Sequence, residues 1–65
     1  MDSKIKEVYK NLKTLSDIEF KQYIKDIDKE LCRQFTDDLV ENDRLINAGG
    51  RTVMRAMTLV DIAES

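Results

Sequence analysis

Between residues 20 and 35 an apolar side chain recurs at every third or fourth position, and this spacing constrains the fold more than any other feature. The residues are Phe20, Ile24, Ile27, Leu31 and Phe35. Steps of three and four residues place side chains on one face of an α-helix. The chain also lacks proline and carries its two glycines at positions 49 and 50, so no helix breaker precedes them. We therefore predict an all-α fold.

A capping signal predicts where this helix begins. Ser16 is followed three residues later by Glu19, which is the spacing of a capping box. Leu15 and Phe20 flank the cap and can form a hydrophobic staple. We predict that a helix begins directly after Ser16 and that a very short connection joins it to an earlier helix.

Three helices account for the chain as one small helical domain over residues 1–65. The first covers about residues 3–13, with Asp2 or Ser3 as its cap. The second covers residues 17–47, as one continuous helix or with a break near Thr36, where a new cap would be followed by two acids. Gly49 and Gly50 are expected to end it, because glycine adopts the left-handed conformation without strain. The third covers residues 51–63, although several of its residues also favour a strand.

The third predicted helix is apolar nearly all round. Such a helix is buried on several sides, and two preceding helices cover only part of it. We therefore expect a partner to cover the rest. The alternative is a self-sufficient three-helix monomer in which the last helix fills the groove between the other two. The predicted core is Ile5, Val8, Leu12, Leu15, Phe20, Ile24, Ile27, Leu31, Phe35, Leu39, Ile46, Val53, Met57 and Val60.

The 65-residue chain has one cysteine and no histidine. These counts exclude an internal disulfide and a zinc site of the usual nitrogen and sulfur type. They also remove the usual pairs for nucleophilic catalysis, so we expect no enzyme activity, no catalytic residue, no metal and no cofactor. Cys32 is expected to pack as a small apolar side chain, and a free thiol suits the cytoplasm.

The first functional hypothesis is a protein-interaction module. It would form a homo-oligomer, in the first place a dimer, or it would bind and regulate a larger protein as an inhibitor, recruiter or tether. Both uses would cover the surplus apolar surface of the third helix. The predicted interface residues are Val53, Met54, Met57, Leu59, Val60 and Ile62.

The alternative is a small regulator that binds nucleic acid through a helix-turn-helix. The turn would contain the two glycines, and the next helix would present Arg51, Thr52, Arg55 and Thr58 to the bases. The net charge of −2 and the acidic residues before the turn argue against it, since a basic footprint is missing. We expect neither nucleic-acid binding nor membrane binding.

Overall fold

A computed structural model describes residues 2–65, and over that range the chain forms four α-helices and no strand. The all-α fold is therefore confirmed, and residues 51–63 are helical. The predicted number of three helices is wrong. The helices are α1 (Ser3–Thr14), α2 (Asp17–Asp26), α3 (Lys29–Asn42) and α4 (Gly50–Glu64).

Side-chain caps fix the starts of the first two helices. The backbone N–H of Lys4 donates to the Asp2 carboxylate at 2.8 Å. At the start of α2 the Glu19 N–H donates to Ser16 Oγ at 3.2 Å, and the Ser16 N–H donates back to Glu19 Oε1 at 2.9 Å. The predicted capping box is thus present, and it satisfies two backbone donors that a helix start leaves unpaired.

The predicted central helix is interrupted at Ile27 and Asp28, which lie between α2 and α3, and not near Thr36. Both residues are extended, with ψ of 140° and 133°. A continuous helix over residues 17–47 would be about 46 Å long, whereas the longest extent of the molecule is 29 Å. The break lets Phe20 of α2 and Phe35 of α3 join one core. Thr36 lies inside α3 and donates its hydroxyl to a backbone carbonyl one turn earlier at 2.8 Å.

The end of α3 also differs from the prediction. Asp43 adopts the left-handed conformation at φ 43° and donates its N–H to the Leu39 carbonyl at 2.9 Å. Aspartate is one of the few residues other than glycine that tolerate this conformation. Gly49 has φ −65° and caps the start of α4. The two glycines therefore begin a helix, and neither has a positive φ.

The core lies mainly between α3 and α4, with α1 packed against both. Its composition corrects part of the predicted list. Ile46 is 76% exposed because α3 has ended before it, so helical spacing no longer applies there. Val53 and Met57 are exposed as well, since α4 turns another side inward. The buried apolar side chains are Ile5, Val8, Tyr9, Leu12, Phe20, Cys32, Phe35, Leu45, Ala56 and Leu59.

Tyr9 connects α1 to α3 through both its ring and its hydroxyl. The ring packs on Phe35 with centroids 5.1 Å apart, and the hydroxyl donates to Asp38 Oδ2 at 2.7 Å. Arg44 donates to the same oxygen at 3.1 Å. Burial and the neighbouring carboxylate raise the pKa of Tyr9 above its usual 10.0. The Tyr9 hydroxyl, together with Arg44, lowers the pKa of Asp38 below 3.8.

Replacing Tyr9 with phenylalanine should lower the free energy of unfolding by about 1–2 kcal/mol at neutral pH, because a partly buried hydrogen bond to a charged acceptor is lost. The pH dependence should change too. A raised tyrosine pKa stabilises the fold below pH 10 and loses that effect as the pH rises further. Urea unfolding followed by circular dichroism should show a steeper alkaline loss in wild type than in Tyr9→Phe. An equal loss of stability in both proteins would contradict a raised pKa at Tyr9. Some alkaline loss should remain in Tyr9→Phe, because burial also raises the pKa of Tyr23.

Candidate interaction surface

One side of helix α4 packs into the core, and the opposite side is exposed. Arg55, Ala56 and Leu59 face inward, and their exposed fractions are 6%, 1% and 0%. The outward side carries exposed methionines, Met54 at 74% and Met57 at 49%. We call the apolar outward residues the outer face of α4. It consists of Val53, Met54, Met57 and, half-buried at its edge, Val60.

The outer face contains four of the six predicted interface residues. The other two belong to the interior of the same chain. Leu59 lies fully inside the core, and Ile62 is half-buried and packs against that core. When a helix is apolar on nearly every side, its sequence does not show which side its own fold buries. In α4 the buried side is the one that carries Leu59.

Charged residues stand at both ends of the outer face. Arg51 lies one turn before Met54, and its side chain is 65% exposed. Asp61 lies one turn after Met57, and Glu64 lies almost one turn further; both are exposed. Residues three or four apart share a side of a helix. The outer face is therefore apolar in its middle and acidic at its C-terminal end, and Arg51, which also pairs with Asp17, lies at its N-terminal edge.

Arg55 is the buried charge of α4, and it joins three helices. Its guanidinium donates to the carbonyls of Leu12 at 3.3 Å and Leu15 at 2.6 Å, which lie at the end of α1. It also donates to Asp17 Oδ1 at 2.8 Å, at the start of α2. The Phe20 ring lies beneath it, with 4.7 Å between Cζ and the ring centroid. Carbonyls at a helix end lack partners within the helix, and a cation there is favourable.

The residues of the nucleic-acid alternative do not form an exposed basic surface. Arg55 is inside the fold, and Arg51 donates to the same Asp17 oxygen at 2.7 Å. These two guanidinium groups lower the pKa of Asp17, with the Arg51 hydrogen bond as the larger cause. Thr52 and Thr58 are half-buried, and the Thr58 hydroxyl donates to a backbone carbonyl of its own helix. In this arrangement Arg55 cannot reach a base edge.

Cys32 is fully buried in the core, as its place beside the apolar stripe predicted. Burial raises the pKa of its thiol, and the nearby Asp28 carboxylate adds to the effect. The neutral thiol is a poor nucleophile and metal ligand. Among residues 2–65, no three histidine, cysteine or acidic side chains are grouped closely enough to hold a metal ion.

The fold and this surface define a small all-helical protein with an unpaired apolar helix face. No protein-family model, curated protein or solved structure matches the chain. In the part of the chain that the structure describes, no helix has the length and apolar character needed to cross a bilayer.

Proposed function

We propose that the protein is a non-catalytic interaction module that associates with a second copy of itself through the outer face of α4, and that it binds and regulates a larger protein in this form. The carrying observation is the exposed apolar middle of α4. Side chains such as Met54 adapt their shape to a contact and are common at binding surfaces. A contiguous exposed apolar patch marks an interface.

The molecule as a whole exposes close to the surface expected of a compact monomer, and an interface needs only part of it. The accessible surface is 4559 Å². A compact monomer of this mass should expose about 4,300 Å² by the usual scaling. A stable interface needs about 800 Å² from each partner, which is less than a fifth of the surface present. The 15-residue α4 is about 22 Å long, so it supplies the axis of such an interface.

The charges favour an antiparallel pair of α4 helices. A two-fold axis midway between Met54 and Met57 would place each methionine against the other one of the second copy. The same axis brings Arg51 level with Val60 of the second copy, one residue before Asp61, so opposite charges lie within reach of each other at both ends. A parallel pair would instead place Arg51 beside Arg51 and acid beside acid, which is unfavourable.

Replacing Met57 with aspartate should convert the dimer to a monomer, because the substitution places two charges near the centre of the apolar contact. Light scattering on a sizing column, over a dilution series, should give twice 7.6 kDa for wild type and 7.6 kDa for Met57→Asp. Val40→Asp is the matched control, since Val40 is 82% exposed on α3 and outside the outer face. It should remain dimeric. A wild-type monomer at every concentration, or a dimeric Met57→Asp, would refute self-association through this face.

An exchange of charges between the two ends of α4 tests the antiparallel arrangement. Arg51→Glu and Asp61→Arg should each weaken the dimer, and the double variant should recover much of the loss. Arg55 still holds Asp17 in these variants, so the link to α2 is kept. If the double variant is weaker than both single variants, the two residues do not face each other and the proposed axis is wrong.

A further inference from the structure

An open groove of 530 Å³ lies where α2 meets the end of α1 and the start of α3. Its floor is apolar and half-buried, formed by Leu15, Tyr23, Ile27 and Leu31. Its wall includes the polar side chain of Asn11. We call this the α2 groove. It shares no residue with the outer face of α4, so it is a second and separate surface.

The rim of the α2 groove is acidic. The carboxylates of Glu19, Asp26 and Asp28 line it, and its lining residues include no lysine or arginine. The sequence of α2 explains this separation of charge. Glu19 and Asp26 are seven residues apart and share one side of the helix, whereas Lys21 and Lys25 lie about 100° or more away from them. The basic side chains of the helix therefore point away from the groove.

The apolar floor and the acidic rim together define what would fit the groove. We propose that the α2 groove binds an amphipathic helix of another protein, one whose apolar side is flanked by lysine or arginine. The apolar floor would take the apolar side chains, which is the helix-in-groove mode of recognition. The acidic rim would pair with the flanking cations and reject an acidic helix. A small ligand fits less well, because small-molecule sites enclose most of their ligand and this groove is open along its length.

Tyr23 is the anchor of the groove. It is half-buried, and its ring lies 6.5 Å from the Phe20 ring, centroid to centroid. The core side of α2 therefore holds it in place. A rigid aromatic side chain with a polar end is the residue type that contributes most at binding surfaces. An incoming helix would bury the exposed part of its ring and meet its hydroxyl.

The test uses two synthetic peptides and the full chain. One is a short amphipathic helix of leucine and lysine only, and the other has glutamate in place of each lysine. In fluorescence-anisotropy titrations the lysine peptide should bind at least about tenfold more tightly than the glutamate peptide. Amide chemical-shift changes in the labelled protein should concentrate on Tyr23, Ile27 and Leu31. Equal affinity for both peptides, or shifts concentrated on α4, would overturn the proposal.

A rim variant separates groove binding from general charge attraction. Gln22 also lines the groove, and Gln22→Lys with Asp26→Lys removes the net negative charge of the rim. This variant should weaken lysine-peptide binding by about tenfold or more. Asp37→Lys alters an exposed acid of α3 outside the groove and should leave the affinity within about twofold. An equal loss in both variants would overturn the proposal. Peptide binding should persist in Met57→Asp, so this result is independent of the dimer. If the rim variant is monomeric where wild type is dimeric, the occupant is a second copy and the proposal is wrong.

Discussion

Replacing Arg55 with methionine should lower the free energy of unfolding by about 2–4 kcal/mol, although methionine is apolar and keeps the unbranched stem of the side chain. The substitution removes the hydrogen bonds to the carbonyls of Leu12 and Leu15. A buried acceptor left without a partner costs about 1–3 kcal/mol. The contact with the Phe20 ring is lost as well. A chain of this length has only about 3–10 kcal/mol of stability in total, so urea unfolding followed by circular dichroism should show a large shift in midpoint.

Arg51→Met is the matched control, because Arg51 donates to the same carboxylate as Arg55. It should change stability little, since both Arg51 and Asp17 are exposed and an exposed ion pair contributes little. If the two variants are equally destabilised, the Asp17 contact is the important one. That result would contradict a role for the carbonyl contacts at the end of α1. The difference between the two variants therefore measures how much more a buried arginine contributes to stability than an exposed arginine bound to the same carboxylate.

The starts of α1 and α2 could be predicted because their signals are local. Asp2 and Ser16 each cap a helix by accepting from a backbone N–H only two or three residues later, so a short stretch of sequence contains both partners. The break at Ile27 and Asp28 could not be predicted in the same way. Phe20 and Phe35, on either side of the break, join one core, and helical spacing continues through the break undisturbed. Asp28 is an acceptable cap residue, but its side chain makes no capping hydrogen bond, so the local signal is weak.

The outer face of α4 could be predicted only in part, for a related reason. Apolar residues stand on nearly every side of this helix, and the choice of Leu59 as the inward residue depends on how α3 and α1 pack against it. The role of Arg55 depends on carbonyls some forty residues earlier in the chain. One signal was present. A single arginine between Met54 and Ala56 is unusual in so apolar a segment, and a charge at such a place needs partners when it is buried.

Leu59→Ala and Met57→Ala should separate the inward side of α4 from its outer face. Leu59 is fully buried, so its truncation should lower the free energy of unfolding by about 3 kcal/mol or more through lost contacts and a cavity. Met57 is half exposed, so its truncation should leave the stability of the monomer nearly unchanged and weaken only the association. The two substitutions lie two residues apart on one helix and act on different equilibria.

Thermal unfolding at a low and a high protein concentration distinguishes these two effects. Association stabilises the folded chain by mass action, so the wild-type Tm should rise with concentration. Met57→Ala should lose that rise and keep the wild-type Tm of the dilute sample, whereas Leu59→Ala should melt at a lower temperature at both concentrations. The opposite pattern, with a stable but non-associating Leu59→Ala, would mean that Leu59 faces the second copy. Helix α4 would then be turned about its axis from the orientation described, and the outer face would be on the wrong side.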